Sequence, residues 1–205
     1  MRNRRRTLRR TGIVLVLVAA LGLGGVIALG SGRTTAQPPP APADVLAPAS
    51  AEAAAGPVDG IRCESSEQVL FHIHAHLAVF VEGRPRVIPE GIGIPPPRRE
   101  QETPEGPFVT SGSCFYWLHS HTRDGIIHIE SPVQRTYTLG DYFDVWRQPL
   151  GPRRVGSATG AVTAYLDGHA FAGDPRSVPL HAHALIQLDV GTKVRPQPFV
   201  FTAGL

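Results

Sequence analysis

The sequence predicts an all-β domain, an antiparallel β-sandwich or barrel-like body with one short helix, preceded by a single N-terminal transmembrane helix and a disordered linker. Three observations carry this. Past residue 58, apolar residues recur with period two in short runs. Gly- and Pro-rich breaks separate those runs, with 22 Gly and 20 Pro in 205 residues, and no long helical period appears among them. The one long apolar run, residues 11–30, comes first and contains no charge.

The chain opens on a basic segment, residues 1–10, with Arg2, Arg4, Arg5, Arg6, Arg9 and Arg10. These arginines outweigh the whole formal charge of +3, so the rest of the chain is close to neutral or slightly acidic. No basic patch in the domain suggests a nucleic-acid partner. Residues 11–30 are just long enough to span a hydrocarbon core, and the preceding arginines place the N-terminus in the cytoplasm. The expected location is the cytoplasmic membrane, single-pass, with the domain extracytoplasmic. A signal anchor is expected there, and a cleaved signal peptide is the alternative. Residues 31–58 are rich in Ala and Pro, include Pro38-Pro39-Pro40, and lack aromatics. They read as a tether, which leaves residues 59–205 as the folded domain.

Val69 to Val81 is the clearest strand. Its odd positions, from Val69 through Phe71, Ile73, Ala75, Leu77 and Val79 to Val81, are all apolar, and its even positions carry His72, His74 and His76. Glu82-Gly83 ends it in a turn, and Val87-Ile88-Pro89 reads as a short return strand that Pro89 confines to an edge or a strand end. Residues 91–107, with Pro95-Pro96-Pro97, read as an irregular surface loop. Phe115 to His121 and Ile126 to Glu130 then flank Asp124-Gly125, the pair that type I′ hairpin turns favour. With those two as the loop, His121 lies opposite His128 and His119 opposite Glu130, all on one face. A four-residue loop would slide the register by one pair each way and keep that face.

Gln134 to Leu139 reads as a short strand and Gly140 to Trp146 as one or two helical turns, with Asp141 as cap and Tyr142, Val145 and Trp146 on the apolar side. Ala161 to Leu166 is a strand, with a second turn at Asp167-Gly168. Leu180 to Val190 is the last strong strand, with apolar even positions and His181 and His183 among the odd ones. Phe199-Val200-Phe201 reads as a closing strand. Cys63 and Cys114 are the two cysteines. An oxidising compartment favours a disulfide between them, with a thiolate metal ligand as the alternative.

Eight of the nine histidines fall in these alternating clusters, and only His169 stands apart. Histidines at i and i+2 of a strand point the same way, and neutral imidazole is a common metal ligand. Two such histidines and a third from a neighbouring strand make the ligand set typical of catalytic zinc, and the same nitrogens suit copper. The candidate ligands are therefore His72, His74, His76, His119, His121, His128, His181 and His183. Glu130 joins them as an oxygen ligand, a hydrogen-bond partner of an imidazole or a general base. Met1 is the only methionine, which excludes a methionine-rich Cu(I) site. Nucleotide-loop, metalloprotease and nucleophile-elbow motifs are all missing.

The segments FHIHAHLAVFVEG, CFYWLHSHTRDGIIHIESP and YTLGDYFDVW together resemble a family of bacterial extracytoplasmic proteins with an N-terminal membrane segment. The resemblance covers most of residues 59–190. It implies the same location and that the histidine motifs belong together; it implies no reaction. Three functions stay open. The first is a membrane-tethered metal-binding protein that captures, delivers or senses copper or zinc. The second is a hydrolase- or hydratase-type metalloenzyme in which Glu130 acts as base on a metal held by three histidines. The third is an interaction domain without metal whose histidines respond to pH.

Overall fold

In the computed structural model, residues 44–104 and 106–205 are described. The basic segment, the expected transmembrane helix and the first part of the linker lie outside them. Among the described residues, no helix is long and apolar enough to cross a membrane.

The protein is mostly β-strand with one short helix. In chain order the first strands are β1 (Cys63–Glu64), β2 (Phe71–Val81), β3 (Arg84–Arg86), β4 (Arg99–Thr103), β5 (Gly106–Ser111), β6 (Phe115–Tyr116), β7 (Leu118–His119), β8 (Ile126–Ser131) and β9 (Tyr137–Thr138). Helix α1 (Leu139–Trp146) follows. The remaining strands are β10 (Leu150–Gly151), β11 (Arg154–Val155), β12 (Ala158–Thr159), β13 (Val162–Leu166), β14 (His169–Ala170), β15 (Pro179–Leu180) and β16 (Ala184–Val190). The main sheet runs β14-β13-β16-β2-β8-β7, with β3 also on β2. It has two ends, so it is an open sheet and not a barrel. Its ladders are antiparallel except the central one, where β16 runs parallel to β2. A parallel pair needs a long crossover and has no local turn signal, which is why an all-antiparallel sheet is the expectation from sequence.

The period-two pattern of β2 sorts the sheet into two faces. Ala75, Leu77 and Val79 register with Ala184, Ile186 and Leu188 of β16, and Ile73 and Ala75 with Ile129 and Ile127 of β8. These side chains join Tyr142, Phe143 and Trp146 of α1 in one buried cluster. The helix is capped one turn earlier than expected. Thr138 is the N-cap, its side chain accepts from Asp141 N, and the Asp141 carboxylate accepts from Thr138 N. This reciprocal pairing satisfies two of the helix's unpaired donors.

The opposite face has two covers. Near β13 and β16, buried Gln187 and Asp189 bond to the C-terminal segment at Val194 and Gln197. That segment does not form the expected closing strand; Phe199 instead stacks on His76. Near β7, the hairpin β4–β5 begins inside the stretch that reads as an irregular loop and runs past its end at residue 107; Arg99–Thr103 carries no apolar alternation to announce it. The expected disulfide is present: Cys63 and Cys114, 51 residues apart, are bonded. One segment expected to lie free is also tied down. In the part of the linker that is described, Leu46 is buried, and the carbonyls of Pro48 and Ser50 accept from Trp146 Nε1 and Arg98. The folded body therefore starts before residue 59. Buried Leu46 and Ala47, a bridge from Val45 to Val87 and a few carbonyls hold this strap, too short a pattern to show in composition.

Candidate metal centre

The histidine face is assembled by the β2–β8–β7 order. His72 registers with Glu130 and His74 with His128 across β2 and β8, and His119 registers with His128 across β7 and β8. The hairpin register is thus slid by two residues from the two-residue-loop expectation, and the face is kept. The turn has an Asx geometry: the Asp124 carboxylate accepts from Ile126 N. Gly125, at φ +80°, hands its carbonyl to Leu77 N of β2, and a Cβ there would sit 2.4 Å from Leu77 O. A left-handed glycine is what lets the loop come this close.

Four donor atoms form a closed ring. His72 Nε2 lies 3.1 Å from His74 Nε2, which lies 3.2 Å from His128 Nδ1. Glu130 Oε1 closes the ring, 3.1 Å from His72 Nε2 and 3.4 Å from His128 Nδ1. Four ligands about 2.0–2.1 Å from a tetrahedral zinc stand roughly 3.3–3.4 Å apart, so the four edges are close to the span of one ion. Beside this ring, His119 Nε2 lies 3.1 Å from His121 Nε2, and Glu67 Oε1 lies 3.3 Å from His121 and 4.0 Å from His119. Among the described residues, three overlapping groups could each hold a metal ion: His72, His74, His128 and Glu130; His119, His121 and His128; Glu67, His119 and Glu130.

The tautomers on β7 follow from their acceptors. His119 Nδ1 donates to Tyr116 O at 2.9 Å and His121 Nδ1 donates to Val109 O at 2.6 Å. A carbonyl cannot donate, so each ring carries its hydrogen on Nδ1. Whenever both rings are neutral, their Nε2 lone pairs face each other at 3.1 Å, and a cation relieves the clash. Such outer hydrogen bonds are what fix metal-bound imidazoles. Phe108 stacks on His121 at 4.7 Å, and Phe115 meets the edge of His119 at 5.6 Å.

Burial favours the neutral form of His119, His128 and His74. His119 is fully buried, and its pKa falls to about 3, through burial first and the His128 and His121 rings second. His128 falls to about 2 by burial and by His121, His74 and His72, and His74 is lowered mainly by burial. Glu67 is raised by burial and then by the charge of Glu130. Neutral imidazoles beside carboxylates are the protonation state a metal requires. Glu130 is 4% exposed, and its Oε2 has no hydrogen-bond partner; among the described residues only Trp117 Nε1 shares that condition. Such an orphaned buried oxygen calls for an explanation. From behind, Ser120 points away from the histidines and ties the hairpin to the helix, its Oγ donating to Ile126 O and contacting Tyr142 Oη at 2.8 Å.

His76, His181 and His183 are not members of these groups. His76 Nε2 donates to Asp124 O at 3.1 Å and its ring stacks on Phe199 at 3.7 Å. His181 pairs with Asp167 at 2.8 Å. His183, at φ +59°, bonds Leu205 O at 2.8 Å and stacks on Phe201. Both precede β16, which begins at Ala184, so neither is a strand residue. Glu67 is the residue that sequence reasoning missed. It sits in the irregular segment before β2, where no period selects it, and only its distances to His121 and His119 mark it. No protein-family model matches the chain, and no curated protein or solved structure matches it either.

Proposed function

We propose that the chain is a membrane-tethered, extracytoplasmic protein that binds a divalent transition metal, zinc first and copper second, on its strand histidines. The observation that carries this is the closed ring of His72, His74, His128 and Glu130, with edges of 3.1–3.4 Å. Cupric ion in a square plane at similar bond lengths would bring neighbouring donors to about 2.9 Å, shorter than these edges, and this supports zinc ahead of copper. The Cys63–Cys114 disulfide supports the compartment, because such bonds persist outside the cytosol. Four protein ligands make a closed site, and this favours capture, delivery or sensing over catalysis. In a closed site Glu130 is a ligand and not a free base. The His72 side chain is 40% exposed, so the ion sits at a rim from which it can exchange.

The test is elemental analysis of the untagged full chain, purified in detergent without chelator. About one equivalent of zinc or copper or more, lost in His74→Ala, is expected. A protein that carries no metal and takes up neither ion at micromolar concentration ends this proposal. The exposure of His72 also favours a second reading, a metal hydrolase or hydratase in which water displaces that ligand. Turnover of an activated ester or hydration of carbon dioxide by the zinc-loaded chain, abolished in His74→Ala, would move the assignment to that reading.

A further inference from the structure

We infer that the histidine face holds two metal ions side by side, bridged by the two oxygens of Glu130. This rests on the metal-binding reading and goes beyond it, since one ion needs only the first ring. The bridge follows from how Glu130 divides its contacts. Oε1 belongs to the ring with His72, His74 and His128. Oε2 is buried with no partner, yet Glu130 also forms a ligand group with Glu67 and His119. The second ion takes His119 Nε2, His121 Nε2, Glu67 Oε1 and Glu130 Oε2. Both imidazoles of that set already have Nδ1 committed to carbonyls, so their free nitrogens point to each other and to Glu67.

The two sites differ in kind. The first has three nitrogens and one oxygen; the second has two of each. In the second, Glu67 is 41% exposed and comes from the irregular segment between β1 and β2, so this ion binds more weakly and leaves first. A carboxylate bridge sets two ions about 3.5–4 Å apart, close enough to couple paramagnetic ions.

The experiment uses the full chain, stripped by chelator and titrated with zinc or copper(II). Two equivalents are expected, the second about 10-fold or more weaker. Glu67→Gln and the pair His119→Gln/His121→Gln should keep one equivalent. Copper-loaded wild type should show a coupled pair, its paramagnetic resonance signal recovering far fewer than two spins per chain; this readout needs no variant to fold. A single equivalent, insensitive to the His119/His121 change, would overturn the second site and leave the metal-binding reading intact. Two equivalents of magnetically independent copper would overturn the bridge. No uptake at all would overturn both readings.

Discussion

The chain carries the same His-x-His spelling in three places, and comparing the sheet pairs with the pair at residues 181–183 shows what that spelling means. His72 and His74 lie in extended backbone on β2, so alternation puts both rings on one face, where β8 and β7 add His128, Glu130 and His119. His181 and His183 come just before β16, and His183 sits in the left-handed region at φ +59°. There the alternation rule has no extended backbone to act on, and the two rings find unrelated partners, Asp167 and Leu205. His121 itself lies just past the end of β7, so what separates the pairs is whether a neighbouring strand brings a third donor to them.

The sharpest way to break this comparison is metal affinity. His74→Ala should weaken zinc binding about 100-fold or more, removing a ligand where even an outer partner is worth 10–100-fold. His183→Ala should change it less than about 2-fold. Competition against a chromogenic chelator measures both, and equal losses would dissolve the distinction between the two regions. Next in size is pH. In the metal-stripped protein, His119 and His128 stay neutral down to about 3 and 2, whereas unfolded imidazoles take up protons near pH 6.5. The unfolded chain then binds more protons below that value, so stability rises with pH and is lost as pH falls from about 6.5 toward 3. The melting temperature should drop by about 10 °C or more between pH 7 and pH 4, and a flat profile would contradict neutral burial of the rings.

Smaller effects probe what holds the histidine face in place. Gly93, at φ +70°, passes so close to β7 that a Cβ would meet Leu118 O at 2.3 Å and His119 Cβ at 3.0 Å. Gly93→Ala should cost about 2–3 kcal/mol by denaturant melting and should weaken metal binding by displacing His119. Ser120→Ala removes the tie to Tyr142 and Ile126 from the far side of the sheet. It should cost about 1–2 kcal/mol while leaving zinc affinity within about 3-fold. The smallest change expected is at the contrasting corner. His183→Gly relieves the left-handed strain but loses the Phe201 stack, so its melting temperature should stay within about 2 °C of wild type, with no change in metal content.

Particular residues show how much was legible. The β2 strand, its core stripe and its histidine stripe were readable because period two is a local consequence of pleating. The 119–130 hairpin was readable in its face but not in its register, because the Asp124-Gly125 pair suggests a two-residue loop while the Asx turn and the contact of Gly125 with Leu77 make a wider one. His72, His74, His119, His121, His128 and Glu130 were all named from sequence, and the structure brings them together. His76, at the right parity on the same strand, is drawn off by Phe199 and Asp124. Glu67 had no pattern to announce it.

By itself, the sequence determined what neighbours along the chain can settle: a β-rich domain, which face of β2 is core, a capped helix of about two turns, and a surplus of imidazoles opposite the core. Tertiary structure alone decided that β8 and β7 bring their donors to the histidines of β2, while the 181–183 segment, whose His183 N donates to His74 O, turns its rings to Asp167 and Leu205. It also set the parallel seating of β16, the cover supplied by β5 and the C-terminal segment, and the arrival of Glu67. The reason is physical. Local periodicity records which way each side chain points, but which strands become neighbours depends on burial and hydrogen bonding summed over contacts between residues far apart in the chain, and no short window of sequence carries that sum.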